Sequence, residues 1–493
     1  MPLSDRPIRV LFMLQRPEAW VNIASIWSAM LENPEFDPVL WLLPYNSADP
    51  VTSEMRAPLA RQLLDGKSVP YIEWRDDMFV ENGRFHVAIF NHPYDRERPA
   101  SLSFARIAAA VQHIIYVPYG LSVGGGFRNL RYQYSQPVHK YASAVVARSE
   151  FERDQFRRHC PSGDRHVHVI GHPRFDVLLK ELEIPLPEET VQFCGNRKVF
   201  LWSSHFAFGL AHSQVSNFST FDLIGPELFE YALENRDDVC LLWRPHPGLI
   251  PALIRDAILS KDEVQVLRYE LEANGILLDE SPGHALSFSA SDALIADAGS
   301  FLFEYLVTGK PILALTNPDG EPLNEEGLAV VSHYRQASAP EQVKHFINEV
   351  QAGVCVEPLE DARAVHLPIF DRGAGQRVAA LAKRLVNGCN AATFENTAAV
   401  YEPQSSRSPL AHKRTSASKC SFCDRSDPTP VLEKLCSELR QIRQIKFQEN
   451  RMRKHIRRHV NVARSWITEL LKQYPATVSW LDSMRTNRRH PPN

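Results

Sequence analysis

Short apolar runs alternate with longer stretches of helical period along most of the chain, the rhythm of parallel sheets with crossover helices. In the first half the strand candidates are Val10–Leu14, Pro38–Leu43, Val87–Phe90, His113–Val117, Ala144–Ala147 and Val167–Ile170, with helices such as Trp20–Leu31 and Phe104–Gln112 between them. A second series comprises Val199–Trp202, Val239–Trp243, Leu277–Leu278, Ala293–Ala296 and Ile312–Leu315. The Pro- and Glu-containing stretch Glu181–Glu189 separates the two. The pattern predicts an α/β protein of two Rossmann-like domains, 1–188 and 189–390, facing each other across a cleft. A helix over Ala374–Val386 closes the second.

Beyond this body the pattern changes. Residues 391–430 are rich in Ser, Thr and Pro, with too few large apolar side chains to offset the entropy of ordering, and are expected to be a flexible linker. Over 431–475, Leu435, Leu439, Ile442, Ile445, Met452, Ile456 and Val460 recur every three to four residues, predicting a long amphipathic helix.

Composition changes the picture in two respects. The 493 residues are 44% hydrophobic and 23% charged, without the roughly 20 consecutive apolar residues of a spanning helix. The N-terminal apolar segment is soon followed by Arg16 and Glu18, unlike a signal peptide, so the expected compartment is the cytoplasm. The net charge of -3 hides an asymmetry, because residues 404–493 carry roughly +12 and the body about -15. Basic residues beside the apolar stripe of the tail suit an anionic membrane surface, the inner face of the plasma membrane; a solvated helix or a coiled-coil partner strand explains them equally well. No recognised nucleic-acid-binding fold accompanies them. Of the eight cysteines, Cys160, Cys194, Cys240, Cys355 and Cys389 are expected to be reduced thiols. Cys420 and Cys423, even with Cys436 and His412, make an incomplete zinc pattern, and no metal is expected.

Candidate chemistry gathers where strands end. In DALIADAGSFLFEYLVTGKPILAL a buried strand breaks at Asp297, Ala298, Gly299 and Ser300 before a helix begins. Glycine lets the backbone approach a ligand, and a helix N-terminus receives an anion, so a phosphate is the natural guest. The bland alternative makes Ser300 a helix cap and Gly299 a turn residue. Glu304, one turn on, is placed to reach ribose hydroxyls or to favour the helix dipole. In LLWRPHPGL, two prolines restrict His246, and Arg244 supplies a fork of donors for phosphate oxygens. In IIYVPYGLSVGGGFRN, Tyr119 and Gly120 stand at a strand tip, and Gly124, Gly125 and Gly126 with Arg128 form a loop expected to be mobile enough to close over a substrate. VIGHPRFDVL adds Arg174 and Asp176, for which a structural pair is at least as good an explanation as catalysis.

Together these segments resemble the CDP-glycerol glycerophosphotransferases, which build teichoic acid and related surface polymers. The resemblance spans roughly residues 105 to 385. It is carried by Gly171–Asp176 for G-x-P-R-x-D, Arg244–Pro247 for RPHP, Asp297–Ser300 with Gly309–Pro311 for the D-x-S-S turn and GKP, and DRGAGQRVAAL from Asp371 to Leu381. It implies a glycosyltransferase-B-like fold, with the donor nucleotide held mainly by the second domain and the acceptor by the first. It also implies that His246 and Ser300 hold the pyrophosphate, with Arg244 and the helix dipole stabilising the leaving CMP. Ser203, Ser204 and His205 stand where relatives have a phosphate-contacting loop. Two positions depart from the pattern. Tyr119 replaces the His of the family's WHG triplet, and a tyrosine with pKa near 10 is a poor base. Gly299 replaces the first serine of the D-x-S-S turn. The implied reaction moves glycerol phosphate or another polyol phosphate from a CDP-linked donor, a substrate rather than a cofactor, to a surface-polymer or lipid-linked acceptor, with Tyr119 or His205 orienting the acceptor hydroxyl. A nucleotide-sugar glycosyltransferase and a catalytically silent scaffold are the alternatives.

Overall fold

The computed structural model describes residues 6–45, 50–78, 85–208, 217–281, 283–354, 359–388 and 429–449. Residues 1–439 form one compact unit and 440–493 a second, of which 440–449 are described and helical. The first unit contains two parallel sheets. In the first, β1 (Ile8–Leu14), β2 (Phe36–Leu42), β3 (Ile72–Glu73), β4 (Phe85–Phe90), β5 (Val111–Tyr116), β6 (Ala144–Ala147) and β7 (Val167–Val169) pair in the order β3-β2-β1-β4-β5-β6-β7. In the second, β8 (Lys198–Ser203), β9 (Val239–Trp243), β10 (Leu277–Leu278), β11 (Ala293–Ala296), β12 (Ile312–Leu315) and β13 (Arg335–Ala337) pair in the order β10-β9-β8-β11-β12-β13. Both orders reverse beside the first strand, as in dinucleotide-binding folds, and this puts a ligand crevice beyond the carboxyl ends of β1 and β4 and of β8 and β11.

The apolar runs form strands because both their faces are covered. Val10, Phe12 and Leu14 of β1 enter one core, with Ile26, Trp27 and Met30, while Leu11 and Met13 enter another, with Phe104, Ile107 and Phe156. Successive strand residues point to opposite faces, so a strand clothed on both sides must be apolar throughout. The expected strands are present. The two additional ones, β3 and β13, are short edge strands whose exposed Glu73, Arg335 and Gln336 give no apolar run. The expected helix Trp20–Leu31 is a 3-10 helix, Pro17–Asn22, followed by an α-helix, Ala24–Leu31.

The helix Ala374–Val386, grouped with the second domain by its place in the sequence, packs on the first. Val378, Ala379, Leu381 and Ala382 join the core around β1, and a Cβ on Gly375 would lie 2.4 Å from the Ser25 carbonyl oxygen. Asp176 anchors its start, accepting the Ala374 and Gly375 N–H groups at 3.1 and 2.7 Å. The chain thus crosses into the second domain and returns to the first.

The three-glycine loop is a seam between the domains rather than a mobile flap. Gly124 pairs with Leu323, Gly125 N–H donates to Pro322 O at 2.7 Å, and Asn324 N–H donates to Val123 O at 2.8 Å. A Cβ on Gly125 would stand 2.4 Å from the Leu323 carbonyl oxygen. Here glycine supplies close backbone approach, the other use of a missing side chain.

The tail helix begins as part of the body. Val431, Leu432, Leu435, Cys436 and Leu439 are buried. The Val431 and Leu432 N–H groups donate to the buried Glu270 at 3.1 and 2.8 Å, and Lys434 pairs with Glu263 at 2.6 Å. Through Leu439, therefore, the stripe expected to meet a membrane or partner is covered by the protein itself. Residues 450–493, residues 391–428 of the expected linker 391–430, Cys355, Cys389, His412, Cys420 and Cys423 lie outside the described residues. Among the described residues no helix is long and apolar enough to cross a membrane.

Substituting Gly125→Ala is expected to force the seam apart and cost about 1–3 kcal/mol in urea unfolding. Gly120→Ala, with nothing within 4 Å of the new Cβ, should stay within about 0.5 kcal/mol of wild type. Equal stability of the two variants would refute the seam.

Candidate active site

A cavity of ≈ 490 Å³ lies between the domains, with the β8, β9 and β11 ends on one wall and the β1, β4 and β5 ends on the other. His246, Tyr119, His205, Arg244, Asp297, Gly299, Ser300, Ser204, Glu304 and Gly120 all line it. Gly124, Gly125 and Arg128 do not.

On the second-domain wall, the loops after β8, β9 and β11 are tied together. Asp297 is buried and accepts His205 N–H at 2.8 Å, Thr220 N–H at 3.1 Å and Thr220 Oγ1–H at 2.6 Å. Burial pushes its carboxyl up to about 7 against these hydrogen bonds. It braces the loops from behind. Ser204 does similar work, accepting Trp243 Nε1–H at 2.9 Å through its hydroxyl and His246 N–H at 2.8 Å through its carbonyl. His246 Nδ1 accepts the Gly248 N–H at 3.0 Å, and His205 Nδ1 accepts the Ala207 N–H at 3.1 Å. In a neutral ring this fixes the proton on Nε2, so both histidines are Nε2–H donors. Their ring centroids are 5.3 Å apart. Desolvation between the walls, and the field of Arg56 and Arg16 opposite, lower the His246 pKa and keep the ring neutral.

The turn after β11 departs from expectation in detail. The α-helix Phe301–Glu304 is a single turn, continued by the 3-10 turn Tyr305–Thr308, and Ser300 makes no side-chain cap. The macrodipole is correspondingly small. A Cβ on Gly299 would meet only the Asp297 carbonyl oxygen, at 3.8 Å, so the position opens into the cleft. Arg244 is held by its own domain, to Asp279 at 2.5 Å and to the Ser281 carbonyl at 2.7 Å. Burial would raise Asp279, but Arg244 with the Ser281 and Ser287 hydroxyls outweighs it, and its pKa falls.

Glu304, expected at a ribose, is fully buried with both oxygens engaged, one by Arg174 and the other by His284 Nε2 at 2.7 Å. Burial alone would raise its pKa; Arg174 first, and then His284, hold it far below the carboxylate range. Arg174 also donates to Asn22 Oδ1 at 3.0 Å and to the Tyr119 carbonyl at 2.8 Å, while His172 Nε2 meets the Pro118 carbonyl at 2.9 Å. Arg174 and Asp176 are structural, as their motif allowed, but each holds a different element and neither pairs with the other. With its carbonyl pinned, Tyr119 presents its ring to the cleft, stacked on His92 with centroids 5.8 Å apart and hydroxyl-bonded to Tyr94 at 3.0 Å. Arg16, Glu18, Arg56 and His92 complete the first-domain wall. The sequence reading passed over them, although Arg16 and His92 follow β1 and β4, where the reversal of strand order places a crevice.

Fold and site together define a two-domain, glycosyltransferase-B-like α/β protein with a cleft between its two sheets. Residues 126–331 match the family model of CDP-Glycerol:Poly(glycerophosphate) glycerophosphotransferase. Through this stretch, under half of the chain, the protein is similar to that family of transferases. The match includes Gly171–Asp176, Arg244–Pro247 and Asp297–Ser300 but begins after Tyr119. No curated protein matches the chain in sequence. Among solved structures, a UDP-N-acetylglucosamine 2-epimerase is 14% identical with TM-score 0.51, covering 78% of this chain and 97% of its own. The S. aureus MnaA–UDP complex is 14% identical with TM-score 0.50, covering 77% and 97%. A variant of the wall teichoic acid polymerase TagF soaked with CDPG is 13% identical with TM-score 0.50, covering 78% and 90%. At these identities the likeness concerns the fold.

Replacing Glu304 by Gln leaves Arg174 buried without its counter-ion and is expected to cost about 3 kcal/mol or more in urea unfolding at pH 7. Because the folded pKa is depressed, the wild-type advantage is full above the unfolded-state value of about 4.3 and is lost as pH falls from there toward the folded value. A gap between variant and wild type that does not shrink on acidification would show that the charge is not what matters.

Proposed function

We propose that this transferase moves glycerol phosphate, or another polyol phosphate, from a CDP-linked donor to a surface-polymer or lipid-linked acceptor. The observation that carries the reading is the juxtaposition of two Nε2–H donors, His246 and His205, and the open Gly299–Ser300 turn with Tyr119 across one cleft. The donor pyrophosphate would lie at the second sheet's crevice, against the histidines and the turn. An acceptor hydroxyl oriented beside Tyr119 would attack the β-phosphorus in line. The new O–P bond forms as the bridging P–O bond breaks, CMP leaves with the electron pair, and the hydroxyl proton passes to water or a phosphate oxygen. His246 and His205, already carrying their protons, serve as donors to the charge on the phosphates, which is usually the largest catalytic contribution in such transfers. Arg244 supports His246 by fixing the start of its loop to Asp279 and Ser281. The basic tail beyond Leu439 would hold the enzyme against an anionic membrane carrying the acceptor.

In calorimetric titrations, CDP-glycerol or CDP-ribitol should bind in preference to UDP-sugars, and His246→Ala should lower turnover about 100-fold or more. Gly299→Ser, which restores the family's serine where a Cβ meets open space, should keep the fold and tighten donor binding by up to about tenfold, the worth of one hydrogen bond. Preference for a UDP-sugar would assign the protein to the glycosyltransferases instead. Removing residues 440–493, which spares the docked Leu432–Leu439 segment, should reduce cosedimentation with phosphatidylglycerol vesicles and leave donor binding unchanged. Undiminished cosedimentation would eliminate the membrane role.

A further inference from the structure

The first sheet reverses its strand order between β1 and β4, so by the rule that places the donor in the second domain, the first domain has a ligand crevice of its own. Two arginines stand there, beside Glu18 and His92. Arg16 lies two positions after β1, and Arg56 ends the helix Pro50–Arg56, which packs against Leu249–Arg255, the helix that follows His246. Both arginines line the cavity.

Neither guanidinium is used up by the protein. Arg16 meets Glu97 through Nη2 and lies over the Tyr45 ring at 5.3 Å, while Arg56 meets Glu18 through Nη2 at 2.8 Å. The Nε of each is buried without a partner. A guanidinium has five N–H donors in a rigid fork matched to phosphate oxygens, and one nitrogen of each is engaged. The two charges also have a definite address. Both act on His246 across the cleft, and Arg16 interacts with Tyr119 as well. Arg16 therefore stands beside the residue that would orient the attacking hydroxyl and opposite the residue that would hold the donor.

We infer that Arg16 and Arg56 form an anion site on the first-domain wall that holds a phosphate of the acceptor opposite His246. This rests on the donor reading above in one respect, that the donor occupies the other wall. The donor's two phosphates already have the histidines and the open turn on that wall, whereas a phosphate on the arginines brings its attached hydroxyl-bearing arm next to Tyr119. The acceptor class that fits is a phosphorylated polyol or sugar phosphate, in preference to a neutral glycan.

The test is a 31P NMR titration of the full chain, saturated with CMP, with sn-glycerol 3-phosphate and with inorganic phosphate as probes. Glycerol 3-phosphate is expected to bind more tightly than inorganic phosphate. Arg16→Gln and Arg56→Gln should each weaken it at least tenfold and leave CMP affinity within twofold. His246→Ala should do the reverse, weakening CMP and sparing glycerol 3-phosphate. Arg56→Lys keeps the charge and should lose less than Arg56→Gln, and thermal melts identify any variant that has lost its fold. Absence of glycerol 3-phosphate binding, equal affinity for inorganic phosphate, or a parallel loss of CMP in the arginine variants would each overturn the assignment. If CMP itself fails to bind wild type, the donor reading falls, and the same titration without CMP still tests the arginines.

Discussion

The buried ion pair between Arg174 and Glu304 is the constraint on which the site depends. Arg174 lies in the first turn of the helix Pro173–Glu181 of the first domain and Glu304 ends the single α-helical turn after β11, so the pair ties the two walls directly. It does so at the positions that matter. Arg174 also holds the Tyr119 carbonyl, and Glu304 lies one turn beyond Ser300, so one contact sets how far the two walls stand apart. Burying these charges carries a desolvation cost of several kcal/mol per ion, which a stability argument alone does not justify. What the pair supplies is direction. An apolar interface can slide and repack, whereas a guanidinium with fixed partners admits one registration of the walls.

A second buried cluster repeats the device. Arg148 follows β6 of the first domain and meets Glu152 at 3.0 Å and Glu326 of the second domain at 2.6 Å, with its guanidinium 4.2 Å from the centre of the Phe303 ring. Phe303 precedes Glu304, so both arginines converge on the same short helix from the first domain. The Gly124–Leu323 seam joins the domains near Glu326, and Asp176 secures the returning helix. The short helix after Gly299 and Ser300 is thus held in place by the opposite domain, which compensates for its having only one α turn.

The two sheets were legible in the sequence because burial on both faces imposes apolar runs, and such runs are a local signal. Strand ends were legible for the same reason, which is how His246, His205 and the Gly299 turn were found. The charged residues were not, because what Glu304 or Arg244 does depends on what the fold brings opposite it, and nothing in either segment encodes that. The three glycines illustrate the same limit: flexibility and close approach have one sequence signature, and only the partner backbone at Pro322–Leu323 distinguishes them. The helix Ala374–Val386 has an ordinary amphipathic pattern, and the choice of which domain it covers is made by Gly375 against Ser25 and by Asp176, about 200 residues earlier in the chain. Arg16 and Arg56 went unnoticed since neither lies in a motif; the topology alone points to them.

Tyrosine in place of histidine at position 119 fits the electrostatics of this cleft. An imidazole there would stand within the field of Arg16, which disfavours protonation, so a histidine could accept a proton only weakly at the moment of attack. A transition state stabilised mainly by charge around the phosphoryl oxygens asks less of a base. What such a transition state does need is fixed positive charge around the phosphoryl oxygens and a correctly aimed hydroxyl. The cleft offers both: histidine Nε2–H donors on one wall, arginines on the other, and a phenol whose ring is fixed by His92 and whose hydroxyl is set by Tyr94. Under the proposed reaction the residue at the tip of β5 would contribute orientation, and the catalytic burden would fall on the charges that face each other across the cleft.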